Sequence, residues 1–508
     1  MPILHEVLPR EYRDSLVLMQ LAAALAKMPG IERASAVMGT AGNLDLLRQA
    51  GMEIAGIAAG PSDLVIALWG EEDALRHTLA EARARLSAST QEADAGSAEK
   101  LAPRSIAMAL EEHTQARLAM ISTPGEYAVA EALKALNLDL NVMLFSSNVS
   151  LADEAMLKRR ARDKGLIVMG PDCGTAIING IPLAFANVVK RGPIGVIGAS
   201  GTGLQEVTVL VDRLGSGISQ AIGTGGRDLS AEVGGISMLT GLQYLADDPE
   251  TVVIVLISKP PAREIADKLL ASARSCTKPV VVLFQGADPR SYSGGNIHGV
   301  RTLVDAARAA VVLSQGRGFE AVDQAAALPT GIPALAAGQK YIRGLFSGGT
   351  FAFEATMLLQ ESLAVHSNTR VGKSLPLRDV FRSEGHTIVD LGDDIFTRGR
   401  PHPMIDQRMR TERINEETAD PETAVLLLDV VLGFGSHPDP AAELAPALRS
   451  ARAMAAKAGR GFICIGHVCG TDGDPQDRSS QIRALRDAGM ILADSNAEAV
   501  RLAHKIVG

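Results

Sequence analysis

Strand-sized apolar runs alternate with Ala-rich amphipathic stretches along almost the whole chain, with Gly and Pro between them. That alternation predicts α/β architecture, with parallel sheets covered by helices. Near the start, strands are expected at Ile3–Val7, Glu32–Met38 and Asp63–Trp69, and helices at Ser15–Lys27, Asn43–Gln49 and Glu71–Ser87. Further strands are expected at Leu118–Ser122, Val142–Phe145, Leu166–Met169, Pro193–Gly198, Ser219–Ile222, Val252–Ser258 and Val280–Phe284. The last group falls at Thr387–Asp390, Ala424–Val431 and Gly461–Gly466.

Breaks in this pattern divide the chain into a small α+β domain at 1–95 and α/β units at 100–190, 191–330 and 340–508. The small, polar stretch 88–103 reads as a linker, as does 329–342 with its Gly and Pro residues. Apolar residues make up 46% of the 508 but aromatic ones only 3%, so the cores must be aliphatic. Lys and Arg number 50 against 58 Asp and Glu, a net charge of −8 that weighs against a nucleic-acid partner. No apolar run is long enough to span a membrane, and the N-terminus lacks a signal-peptide pattern, so a cytoplasmic protein is expected. Four cysteines cannot build a disulfide framework, and the Cys464/Cys469 spacing fits no zinc or redox motif.

The chemistry concentrates in glycine-rich turns that follow strands. In Gly198-Ala199-Ser200-Gly201-Thr202-Gly203 a buried strand runs into a helix. Small residues, free amides and the helix dipole suit an anion there, and the Ser200 and Thr202 hydroxyls add donors. A tight connection capped by Ser200 fits the same residues equally well. The turn matches neither the dinucleotide fingerprint nor the Walker loop, and Thr202 stands where a nucleophile elbow needs glycine. Asp172 and Cys173 in one turn, and Gly225, Gly226 and Arg227 in another, are candidate substrate contacts beyond strand ends. Gly433, Gly435 and Ser436 end a strand in the last unit and form a second candidate anion turn. His437, His467, Cys469 and Asp472 have no metal-ligand spacing, so no metal is expected.

Residues 192–285 resemble the second domain of the succinyl-CoA synthetase α subunit, through GPIGVIGASGTGLQEV with Glu206, the preceding GPDCGT, and AIGTGGRDL. Residues 387–506 resemble the carboxyl-terminal domain of the β subunit, through HTIVDLGDD and LLLDVVLGFGSHPDP. With SGGTFAFEA at 347–355, the combined order is similar to the FdrA family of acyl-CoA synthetases. The resemblance implies Rossmann-like and flavodoxin-like parallel-sheet domains, with 100–190 a partial CoA-binding-like Rossmann domain, 191–330 ligase-like and 340–508 β-subunit-like. It also implies catalytic roles for Ser200 and Glu206. His298, in a shortened loop, is a loose counterpart of the phosphorylated histidine. Neither an initial CoA loop nor an ATP-grasp domain is present, so CoA and ATP are not expected as ligands.

From this resemblance the expected function is a subunit of a multi-component carbamoyltransferase that uses carbamoyl phosphate, acting on oxamate in allantoin catabolism. The expected ligand is phosphate or carbamoyl phosphate, and the expected assembly a homodimer or hetero-oligomer. Two alternatives stand beside it: an acid–CoA ligase working through phosphorylated His298, and a non-catalytic scaffold subunit. The mechanistic expectation is a phosphate held across one cleft by Gly198–Gly203 and Gly433–Ser436, with Arg227 supplying further charge.

Overall fold

An antiparallel sheet opens the computed structural model, which describes residues 2–13, 15–49, 51–52, 57–94, 103–320, 328, 331–397 and 400–508. Its strands β1 (Ile3–Leu8), β2 (Ile31–Met38) and β3 (Leu64–Gly70) lie in the order β1-β3-β2, with helices α1 (Ser15–Leu25), α2 (Ala41–Gln49) and α3 (Glu72–Asp94) in the connections. Leu64, Ile66 and Leu68 of β3 pack on Leu18, Leu21 and Leu25 of α1, so strand and helix periodicities meet in one small core. Val65 and Ala67, on the opposite face, meet Leu47 of α2. Helix α3 runs on through 88–94, where a linker is expected, because that stretch has no Gly or Pro and includes Ala, Gln and Glu. The rest of that linker, 95–102, and Pro329 of the second one lie outside the described residues.

Helix α4 (Ile106–Glu112) leads into three parallel strands, β4 (Leu118–Ile121), β5 (Asn141–Leu144) and β6 (Val168–Met169), crossed over by α5 (Gly125–Asn137) and α6 (Leu151–Asp163). A hairpin, β7 (Thr175–Ile178) and β8 (Ile181–Ala184), follows. Then come β9 (Arg191–Gly198), α7 (Gly201–Arg213), β10 (Ile218–Gly223), α8 (Ile236–Asp247), β11 (Val253–Ser258), α9 (Arg263–Ser275), β12 (Val280–Phe284), β13 (Ile297–Gly299) and α10 (Leu303–Ser314). These form one sheet, β13-β12-β11-β9-β10-β7-β8. The hairpin pairs antiparallel with β10, so a division at 190/191 cuts through this sheet.

The last sheet, β16-β15-β17-β14-β18-β19-β20, is wholly parallel. Its elements are β14 (Tyr341–Phe346), α11 (Gly349–Leu359), β15 (Val365–Ser367), β16 (Leu375–Pro376), β17 (His386–Asp390), α12 (Asp394–Thr397), α13 (Arg408–Ala419), β18 (Thr423–Val431), α14 (Pro440–Lys457), β19 (Ile463–Cys469), α15 (Arg478–Asp487), β20 (Met490–Ala493) and α16 (Asn496–Val507). Strand β14 breaks the apolar pattern because Arg343 sits at its centre. That side chain is buried, paired with Asp420 at 2.7 Å and stacked over Tyr341.

The two seven-stranded sheets share one helical layer, with α7 and α10 from one and α11 and α16 from the other. Val207, Leu210, Ala306, Ala310, Phe351, Ala355, Ala499 and Ala503 belong to its core. Every residue of α7 from Gly203 to Asp212 is buried, as expected of a helix with a sheet on one side and helices on the other. Among the described residues no helix is long and apolar enough to cross a membrane.

A polar cluster lies inside this layer. Glu354 accepts from the Leu303 amide and from Asn496 Nδ2, both at 2.8 Å. Burial pushes its carboxyl up to about 7, against the pull of those donors. With the folded value above the unfolded one, the neutral acid is favoured in the fold, and that stability is lost as pH rises through the folded value. Between roughly pH 4.5 and 7 the chain should lose about 3 kcal/mol from this group. Glu354→Gln should flatten that slope in urea titrations at pH 5 and 8; an unchanged slope would show that Glu354 is ionised in the fold.

Candidate functional site

Strand register puts several turns at one edge. Gly198 aligns with Gly223 on one side and Ile257 on the other, and Phe346 aligns with Asp390. The chain leaves each strand at its carboxyl end, the usual place for a ligand in an open parallel sheet. There a cavity of about 300 Å³ is lined by Asp172, Cys173, Ser200, Gly201, Thr202, Gly225, Gly226, Lys259, Gly349, Thr350, Asp390, Gly392 and His402, among others.

Two helix starts meet at this cavity. Ser200 caps α7: its Oγ accepts from the Gly203 amide at 3.1 Å, and its carbonyl accepts from Leu204 at 3.0 Å. The amides of Gly201 and Thr202 are left without a partner among the described residues. Helix α11 begins in the same way. Gly348 donates to Asp429 at 2.8 Å, and its carbonyl accepts from Phe351 and Ala352, leaving the amides of Gly349 and Thr350 open. Ser200 Oγ and Thr350 Oγ1 are hydrogen-bonded, and a methyl group on Gly348 would lie 3.1 Å from Thr202 Cγ2. Four open amides at two positive helix ends therefore face one space. Capping takes the Gly203 amide and leaves those of Gly201 and Thr202 open, so the two readings of the Ser200 turn do not compete for one donor.

Asp429 fixes the second start. Its carboxylate accepts from the Ser347 amide at 2.8 Å and Ser347 Oγ at 2.9 Å, and is paired with buried Arg410. Burial alone would raise this carboxyl, but Arg410 and the Ser347 donors hold it below the ordinary range. Lys259 is the only Lys or Arg among the described residues lining the cavity; its ammonium also lies 5.6 Å from the Phe353 ring centroid. Asp390 is pushed up to about 6 by burial, against the pull of Lys259.

The expected second turn is not part of this cradle. The Gly433 amide goes to Gln476 at 3.0 Å, that of Phe434 to the Ala186 carbonyl at 2.9 Å, and that of His437 to the Met404 carbonyl at 2.8 Å. Helix α14 starts only at Pro440, capped by Asp439, so Gly433, Gly435 and Ser436 form a packed loop instead of a helix start. Gly435 lies against the Phe185 ring. Arg227 is drawn away to Glu154 at 2.9 Å and the Val149 carbonyl, and Lys259 takes the place expected of it. His298 sits on the edge strand β13 and does not line the cavity.

Asp172, Cys173, Gly225 and Gly226 do line it. Burial raises the Cys173 thiol to about 12, which makes it a wall residue, not a nucleophile. Gly225 has φ +83°, and a methyl group there would lie 2.3 Å from the Pro171 carbonyl, so only glycine lets these two turns touch. Glu206 lies behind the cradle, fully buried, with Oε2 3.5 Å from His467 Nε2. Burial would raise its carboxyl, but His467, Cys469 and the Asn496 amide together hold it low. Lys259, Gly349, Thr350, Asp390 and His402 are among the site residues that sequence reasoning missed. One signal was available: Ser347-Gly348-Gly349-Thr350 resembles Ser200-Gly201-Thr202-Gly203 in its small and hydroxyl residues.

Comparison with known proteins gives three family matches. They are CoA-ligase over residues 345–506, the CoA binding domain over 189–286, and the AllF, heavy metal-associated domain over 1–103. The CoA-binding match thus falls on the sheet containing β9, and not on 100–190, where the resemblance implies a partial CoA-binding-like domain. Over 516 residues the chain is 43% identical to Uncharacterized protein YahF of Escherichia coli (strain K12), covering 98% of this chain and 97% of that one. It is 26% identical over 172 residues to succinate–CoA ligase (ADP-forming) subunit alpha 2 of Archaeoglobus fulgidus, spanning 33% of this chain and 58% of that subunit. Among solved structures, the apo dinucleotide forming acetyl-coenzyme A synthetase 1 of Ca. Korarchaeum cryptofilum has a TM-score of 0.33 at 14% identity, covering 77% of this chain and 82% of that one.

A heavy-metal-associated domain implies a metal, but the residues here do not fit one. All four cysteines lie beyond residue 103, and no group of three His, Cys, Asp or Glu among the described residues is placed to hold an ion.

Proposed function

Since the chain belongs to the YahF family and carries CoA-ligase-type and CoA-binding-type domains, we propose that it acts on an acyl phosphate whose phosphate lies between the starts of α7 and α11. The observation that carries this reading is the set of four open amides facing a cavity that also holds Lys259. One helix start offers about half a positive charge, so two starts and an ammonium suit a phosphate carrying nearly two negative charges. Asp390, poised near 6, is mostly ionised at neutral pH and can take the proton of an incoming nucleophile.

The acceptor of the acyl group separates two finer readings. The ligase relatives favour an acid–CoA ligase, with the acyl group passing to a thiol. The FdrA resemblance favours carbamoyl phosphate as donor and an amide such as oxamate as acceptor, within a multi-component enzyme. The second reading has geometric support: His298, the phosphate carrier that a ligase of this kind would need, is not among the residues lining the cavity. A cavity of about 300 Å³ also suits a small acyl phosphate better than a whole CoA.

Calorimetry of the full chain against inorganic phosphate, acetyl phosphate, carbamoyl phosphate, ATP and CoA tests the proposal. Binding of the phosphates is expected, and binding of ATP and CoA alone would overturn it. His298→Ala should bind phosphate and acyl phosphates as the parent does. An acid-labile phosphate lost in that variant would restore the ligase reading.

A further inference from the structure

Building on the acyl-phosphate reading, we infer that His402 is a neutral hydrogen-bond donor to the carbonyl oxygen of the bound acyl group. His402 lies between α12 and α13 and lines the cavity. Its Nδ1 accepts the Met404 amide at 3.2 Å. A neutral imidazole carries one proton, so with Nδ1 accepting, the proton is on Nε2. Nε2 has no protein partner among the described residues. It stands beside Gly392, another wall residue, where an added methyl group would lie 2.6 Å away. The ring is braced by Phe185 at a centroid distance of 6.4 Å, and the His402 carbonyl is held by the amides of Ile405 and Asp406. Burial keeps the imidazole uncharged at neutral pH, down to about 4.

These constraints distinguish two roles. A phosphate carrier needs a bare ring nitrogen in the cavity, whereas here one nitrogen is tied to backbone and the other bears the proton. A donor needs a fixed N–H aimed where negative charge develops, which this arrangement provides. In the transfer, the nucleophile adds to the acyl carbon and the carbonyl electron pair moves to oxygen, which receives the Nε2–H hydrogen bond. As the carbonyl re-forms, the carbon–oxygen bond to phosphorus breaks and phosphate keeps that electron pair at the two helix starts. The nucleophile's proton passes to Asp390, and His402 retains its own.

The test uses the full chain with ¹⁵N-labelled histidine, the His402 signals being assigned from their loss in H402Q. Acetyl phosphate should move the Nε2–H proton downfield, and inorganic phosphate, which lacks a carbonyl, should not. In calorimetry, H402A should weaken acetyl phosphate about tenfold, the worth of one hydrogen bond, and leave inorganic phosphate unchanged. H402Q, whose amide can donate into the same space, should recover most of that loss. A proton on Nδ1, an equal loss for both ligands in folded H402A, or a phosphate on His402 would overturn the assignment. If the parent chain binds neither probe, the acyl-phosphate reading itself fails and takes this inference with it.

Discussion

Arg410→Met is expected to lower unfolding stability by about 3–5 kcal/mol, the usual cost of stranding one member of a buried ion pair. Arg410 is 1% exposed and pairs with fully buried Asp429; its guanidinium also donates to the Leu345 and Asp429 carbonyls. Methionine fills similar volume but leaves the carboxylate unpaired. Because Asp429 also holds the Ser347 and Gly348 amides, phosphate binding should weaken along with stability. The double variant Arg410→Met/Asp429→Asn should recover part of the stability, since no lone charge remains. Urea denaturation of the single and double variants measures both effects. Equal losses in the two would mean that packing alone, and not the ion pair, supports this turn.

Gly349→Val should abolish phosphate binding, with a loss of about a hundredfold or more, while the chain stays folded. The backbone of Gly349 is not left-handed, and the three nearest atoms that an added Cβ would meet all belong to the Asp390 carboxyl group, the nearest at 2.5 Å. That group is the end of a side chain and can give way. The valine branches would then occupy the space in front of the open Gly349 and Thr350 amides. Calorimetry against inorganic phosphate, with the thermal midpoint measured in parallel, checks both halves of the statement. Retained affinity in a folded variant would mean that α11 does not hold the anion.

The first half of this cradle was legible in the sequence because everything it needs is local: a buried strand, small residues, a capping serine and a helix. The N-terminal helices and strands were legible for the same reason, apart from the run-on of α3. The partner turn was not, although its residues are of the same kind. Arg343 in the middle of β14 hides the strand that delivers Ser347, and only the burial of Arg343 against Asp420 makes that position tolerable. Gly433–Ser436 misled because glycines after a strand look alike whether a helix follows at once or, as here, after Pro438 and Asp439. Lys259 follows β11, Asp390 ends β17 and His402 lies between α12 and α13, so no spacing along the chain announces them.

The single covalent connection from α10 to β14 changes how the cradle comes into being. Were the two halves separate molecules, the meeting of α7 with α11 would depend on how much of each was present. On one chain each half meets its partner at an effective concentration on the order of millimolar, set by the connection and not by expression. Dilution therefore leaves the meeting of the two helix starts intact, and neither half can accumulate with its share of the apolar helical layer bare.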